Sequence, residues 1–406
     1  MTLTACGSSP GADDSNAGAA GDSDSAGHPS GGTGSGQSGE ATAGGGTTGG
    51  GTKGGSAQGG KPSGAGGSVA APDTKWVNVT NNLTTLAAQG AAAPGPGDVS
   101  LLLAEPGGSR VIAGVGHSGL FVTEDGGASW SKLGTGAGSA PIQHGPTAIV
   151  FDPDHPGVFW ESGIYGDGIF HTINDGETFE RLGDVSHNDS LSVDLSDPER
   201  KVLLAGAHEA VQKLYKSSNG GKTWEDIGSK LPAGSSFSTL PLILDTQTYL
   251  VGSAGYNGKW GVFRSTDAGA SWTTVSPEGP AGEPIRALDS ALYWALSNGA
   301  VIVSTDDGKS WTKSAAGPVQ PFSNGLFELP DGRIVALGMT YLLATADAGK
   351  TWQQIGEALP FPGANCKTYG FTYSVATKTF FINHNDCSGA LAADAIWSSG
   401  FDYEKE

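Results

Sequence analysis

Positive charge is scarce in this chain. Among 406 residues, 22 lysines and arginines stand against 41 aspartates and glutamates, for a formal net charge of −19. A surface of that sign repels nucleic-acid phosphates and anionic headgroups, which excludes both as electrostatic partners. Cysteine numbers only three and no CxxC pair occurs, so the common thiolate zinc sites are excluded as well. No apolar run approaches the ~18 residues that cross a bilayer as a helix. What the chain has in excess is glycine: 67 residues, 23 of them within the first 70. The remaining 44 are still many, so turns must be frequent throughout.

Residues 7–74 are Gly, Ser, Ala, Thr and Asp with almost no large side chains, as in Gly44-Gly45-Gly46-Thr47-Thr48-Gly49-Gly50-Gly51. Such a segment cannot offset its backbone entropy by burial. It reads as a disordered linker spanning about 45 Å root-mean-square. No strand precedes these glycines, so they form no phosphate loop. Ahead of them, Leu3-Thr4-Ala5-Cys6-Gly7 resembles the end of a bacterial lipoprotein signal, in which a cysteine after small residues is lipidated. The resemblance implies that residues 1–6 are the residue of a signal and that Cys6 carries lipid. The only membrane attachment would then be that anchor, at the bacterial cell envelope, on an extracytoplasmic or secreted protein.

From residue 75 short β-branched and aromatic runs alternate with Gly, Pro and Asp, and a repeat emerges. Thr123-Glu124-Asp125-Gly126-Gly127-Ala128-Ser129-Trp130 recurs at 172–179, 217–224, 265–272, 304–311 and 345–352. The aligned acidic or amide positions are Asp125, Asn174, Asn219, Asp267, Asp306 and Asp347, separated by 49, 45, 48, 39 and 41 residues. That period suits a four-stranded propeller blade. An apolar pair precedes each segment, as in Leu120-Phe121 or Val262-Phe263, and further strands such as Val111-Ile112-Ala113-Gly114 lie upstream.

These segments resemble the Asp-box, or BNR repeat, of sialidases, xyloglucanase-type glycosidases, sortilin-type receptors and photosystem II assembly factors. The resemblance implies a hairpin turn whose Asp accepts backbone N–H bonds, whose Gly takes positive φ and whose Trp packs between strands. Its role is structural. The predicted fold is all-β: a single seven-bladed propeller of four-stranded blades over residues 75–406, about 47 residues per blade. Six turns suffice for seven blades if the last sheet (strands near 369–375, 379–383 and 395–399) takes its outer strand from the N-terminal side. Lys75-Trp76-Val77-Asn78-Val79 copies the tail Ser129-Trp130-Ser131-Lys132-Leu133, so it is expected to pair near Trp397 and close the ring. On this pattern Cys366 and Cys387 fall in loops of one face. Their pairing as a disulfide, worth about 3 kcal/mol, suits an oxidising compartment.

Candidate site residues follow from topology. Loops between second and third strands, and those between blades, gather opposite the Trp-ended turns. The first group carries His117, Tyr165, Asp167, His208, Glu209, Tyr256, Lys259, Trp260, His384 and Asp386. The second carries His144, His187, Asp189, Arg286, Lys367 and Tyr369. The histidines, with Arg286, Tyr256 and Trp260, are expected to bind ligand. Histidines beside carboxylates can act as acid–base groups or hold a metal ion, and no other cofactor is implied. Glu161, mid-strand where other blades have Gly114, Gly252 or Ala295, must find a buried partner.

Sialidase chemistry is opposed by the arginine count, six, of which only Arg286 is expected on the site face. Xyloglucanase-type enzymes pair two propellers, and one is present. Three readings remain: a monomeric surface propeller recognising a glycan or extracellular protein, a glycan-cleaving enzyme, or an assembly scaffold. As a hydrolase the enzyme would use two carboxylates among Asp189, Glu209 and Asp386. As a lyase it would use His144 or His187 with Tyr369, and Arg286 or Lys367 to neutralise a uronate.

Overall fold

A computed structural model describes residues 74–91, 97–140, 142–235, 238–254, 260–314, 325–361, 370–385 and 388–405. Cys6, the linker up to residue 73, Tyr256, Lys259, Cys366, Lys367, Tyr369, Asp386 and Cys387 lie outside the described residues, and with them the disulfide and the lipid anchor.

The described chain forms seven four-stranded antiparallel sheets, six of them ordered by sequence from an inner to an outer strand. Six span residues 99–132, 145–181, 188–226, 238–276, 285–313 and 326–355. The seventh unites 371–374, 379–383 and 396–400 with Val77–Asn78. The architecture is therefore a seven-bladed β-propeller, as predicted. The closing strand pairs as expected, Val77 opposite Ser398 and Asn78 opposite Trp397. Thr80, fully buried, both donates to the Ile396 carbonyl and accepts the Ile396 N–H through its hydroxyl. Closure gives the last sheet its missing edge partner.

The core is divided among the seams between blades. Ile112, Leu120 and Leu133 of blade one meet Phe159, Phe170 and Phe179 of blade two, and equivalent clusters fill the other seams. The closing seam carries an element absent from the sequence reading, a helix over Leu83–Gly90. Its Leu83 and Ala87 are buried against Phe121, Phe381 and Ile396. Blades approach so closely that a Cβ on Gly206 of blade three would lie 1.7 Å from the Thr239 carbonyl oxygen of blade four.

Each repeated turn closes on its own side chains. Asp125, Asn174, Asn219, Asp267, Asp306 and Asp347 accept a backbone N–H four residues on, at 2.9–3.1 Å. The glycine two residues after each has φ between 74 and 91°, a region costly for any side chain with a Cβ. Hydroxyl and backbone hydrogen bonds hold the Asp125, Asp267, Asp306 and Asp347 carboxyls down at about 2; at Asp306 they outweigh an opposing desolvation effect. These groups are turn closures.

The ladder corrects one alignment. Leu120, Ile169, Leu214, Val262 and Val301 hold equivalent positions in the third strands and lie opposite Gly114, Ser162, Gly206, Gly252 and Ala295. Ser162, not Glu161, therefore occupies the small-residue position. Glu161 points to the other face of its strand, where Ala113 and Ala205 stand in blades one and three.

Candidate ligand site at the loop face

The loops opposite the Trp-ended turns bring together one compact group from blades two, three and four. The second-to-third loop of blade two supplies Tyr165. The approach to blade three supplies His187 and Asp189, and the second-to-third loop of blade three supplies His208 and Glu209. Main-chain bonds fasten these loops: His187 N–H donates to the Gly166 carbonyl at 3.1 Å and His208 N–H to the His187 carbonyl at 3.0 Å. An isolated bridge joins His208 to Ser238 of blade four. Tyr165, His187 and Glu209 all have φ between 50 and 60°, a left-handed conformation uncommon for such residues and typical of positions that the surrounding structure holds in place.

The side chains form a directed chain. His208 Nδ1 lies 2.8 Å from Asp189 Oδ1, and the Ser238 hydroxyl donates to Asp189 Oδ2. Nδ1 therefore carries the proton, leaving Nε2 to face the Tyr165 hydroxyl at 3.2 Å. His187 accepts the Tyr165 N–H at Nδ1, 2.9 Å away. The three rings pack at tilted and edge-on angles, with centroids 4.8 to 5.3 Å apart. Tyr165 remains 61% exposed.

The protonation states separate. Burial works against the His208 cation, but the hydrogen bond and charge of Asp189, with the charge of Glu209, outweigh it and raise the pKa. At His187 burial, reinforced by the His208 charge, lowers it. Burial and then the charges of Glu209 and Asp189 raise the Tyr165 phenol, which stays neutral. His187, His208 and Glu209 each bring a ligand atom within 4.8 Å of the others. His208, with Nδ1–H on Asp189, is oriented as metal-ligating imidazoles are. His187 instead accepts at Nδ1 and so carries its proton on Nε2, where a metal would bind. A metal between them would have to displace the Tyr165 amide or hydroxyl.

Below this group runs the central channel, a cavity of about 590 Å³ lined by inner strands of all seven blades, largely apolar through Leu101, Ile149, Leu191, Leu242, Phe327 and Phe371. Glu283, which precedes the inner strand of blade five, is the carboxylate missed in the sequence; its place in a between-blade loop was the available signal. It is part-exposed to the lumen yet enclosed by protein, so the narrow lumen counts as interior rather than bulk solvent. Burial and then the Asp189 charge push its pKa up to about 8, against a hydrogen bond from Ser190.

Other expected residues lie elsewhere. His144 is in the interior, not on the open face: Nε2 is 2.6 Å from Glu161 Oε1, with both side chains 0% exposed, and Nδ1 donates to the Asp167 carbonyl at 2.8 Å. The partner required for Glu161 is thus His144. Arg286 pairs with Leu292 and donates to the Leu244 carbonyl, which puts it at the turn-side end of the channel. The reason is that the blade-five ladder begins six residues earlier, at Pro280 opposite Leu296. Trp260 is on the loop face, 42% exposed and lying against Gly279. His117 is part-buried on blade one. His384 stacks on Phe361 at 4.5 Å, on blade seven. Asp167 is 3.3 Å from Arg181.

Fold and sheet order define the class, a seven-bladed β-propeller. A family model described as the DUF6242 beta propeller domain matches residues 241–405. The chain is 31% identical over 172 residues to the photosystem II assembly lipoprotein Ycf48 of Synechococcus sp. (strain CC9902), which covers 40% of this chain and 47% of that protein. The chain thus spans about half the length of this curated relative. Among solved structures it resembles a streptogramin B lyase (13% identity, TM-score 0.54, covering 77% of this chain and 96% of that one). It also resembles the extracellular domain assigned to a hybrid two-component system of B. thetaiotaomicron (12%, TM-score 0.53, 77% and 39%). At these identities the likeness is one of fold.

Proposed function

We propose that the protein is an extracytoplasmic, lipid-anchored recognition propeller that binds a glycan or protein ligand through the loop face. The observation that carries this reading is the Tyr165–His187–His208 corner: three rings held by hydrogen bonds, with Tyr165 left open to solvent. A held aromatic surface loses little entropy on binding. The Cys6 motif and a relative described as an assembly lipoprotein support the location.

Glycan cleavage draws less support. Both Asp189 oxygens are engaged by His208 and Ser238, which ties Asp189 to a structural role, and Asp386 lies outside the described residues. For a lyase acting on a uronate, Arg286 is not at this mouth but at the far end of the channel, and Lys367 lies outside the described residues. The test is a screen of immobilised glycans and synthetic peptides with the full chain and with His187→Ala/His208→Ala. Binding by the native protein that the double substitution abolishes, without reducing ends or unsaturated uronate appearing, is expected. Undiminished binding in the double variant removes this site from the reading.

A further inference from the structure

We infer that the arc of the loop face over blades two to four docks an extended protein segment bearing lysine or arginine, whose cationic end group rests on the Tyr165 ring beside Glu209. This rests on the recognition reading and deepens it by choosing between ligand classes. Two independent observations point the same way. The first is apolar: Tyr165, Val211 and Trp260 are 61, 66 and 42% exposed, and they stand in the second-to-third loops of three consecutive blades. The three loops follow one another around the same face of the ring, so one extended segment can reach all three side chains. The second is electrostatic. Asp189 and Glu209 flank the same rings. Among the described residues, the cations beside these loops are engaged: Arg181 lies against Asp167 and Lys213 against Asp226.

A neutral phenol ring fixed by its hydroxyl and flanked by carboxylates is a cation–π platform. The same field repels uronates and sialic acids and offers neutral sugars no charge pairing. A segment alternating apolar and basic residues meets both features at once: its apolar side chains cover Val211 and Trp260 while its cation settles at Tyr165.

The experiment uses the full chain and fluorescence anisotropy with three labelled probes: a synthetic peptide alternating leucine and lysine, its leucine–glutamate counterpart, and a neutral cello-oligosaccharide. The lysine peptide is expected to bind in preference to the other two. Tyr165→Ala should weaken it about 3-fold, the worth of an exposed cation–π contact, and Glu209→Lys about 10-fold or more through like-charge repulsion. Glu180→Lys, on the exposed outer strand of blade two, controls for the overall negative charge and should leave binding unchanged. Equal binding of the glutamate peptide, or a Glu180→Lys effect as large as that of Glu209→Lys, overturns the inference. Oligosaccharide binding lost in His187→Ala/His208→Ala, with no lysine-peptide binding, also overturns it while the recognition reading stands. Silence in every arm overturns both.

Discussion

Replacing Glu161 by leucine tests how the seam between blades one and two is held, since Glu161 shares the face of Phe159 and Phe170 that packs against blade one. Glu161 and His144 are wholly enclosed, 2.6 Å apart, and His144 donates its other N–H to the Asp167 carbonyl. Burial disfavours the His144 cation, but the charge and hydrogen bond of Glu161 outweigh it with help from Asp167, and the pKa is raised. Contact with Glu161 thus makes His144 hold its proton more tightly than a free imidazole. Removing one member of a buried pair costs about 3–5 kcal/mol. Here the lower end applies, because Glu161 Oε2 is buried without a partner among the described residues and His144 can shed its proton once alone. About 3 kcal/mol corresponds to a fall of about 4 °C in Tm for a domain of this size. The sign with pH is determined. A folded-state pKa raised above the unfolded value contributes stability that is fully present below about 6.5 and lost as pH rises through the folded pKa. Thermal unfolding followed by circular dichroism at pH 6 and pH 9 should show native protein losing more than Glu161→Leu over that interval. The double variant His144→Phe/Glu161→Leu, which removes both charges and fills the space, should recover most of the loss. A single variant melting within 2 °C of native, or parallel pH profiles, would refute the raised proton affinity of His144.

Two other outcomes concern the frame. Ending the chain before Trp397 removes both partners of the Val77–Asn78 strand and should abolish soluble expression; a truncated protein with cooperative unfolding and sheet circular dichroism would overturn the closure. The Asp125, Asp267, Asp306 and Asp347 carboxyls are held at about 2. Their contribution is present above about pH 4, the unfolded value, and falls away as pH drops through 2. Blades two and three already use Asn174 and Asn219 in the same geometry. Replacing all four aspartates by asparagine should thus keep the fold and flatten the acid branch of a Tm profile between pH 5 and pH 2, and an unchanged acid branch would show that other carboxylates govern it.

Much of the architecture is legible because its signals are local. Each Trp-ended turn satisfies its hydrogen bonds within eight residues, so the pattern of hydroxyl, carboxyl and glycine specifies the turn wherever it occurs. The closing strand is legible for a related reason, since Lys75–Val79 repeats the composition of an outer strand with no sheet of its own. Residues whose meaning depends on register were read less well. Glu161 was aligned one position off, and in a strand one position exchanges the two faces. His144 was assigned to an open loop, though the ladder carries it inside. Arg286 was put at the wrong end of the channel because the blade-five ladder starts at Pro280, and Leu83–Gly90 carried too short a periodic pattern to stand out.

The amino-acid order alone therefore determined the number of blades, the turns and the route of closure, because those depend on contacts between residues close in the chain or on a repeat that can be counted. Only the folded ring decided that Tyr165, His187, Asp189 and His208 share one corner, and that Glu283 sits inward of it. Those residues lie up to 118 positions apart, on blades whose bulges and offsets are established by packing across the seams. No local preference encodes which loops will touch.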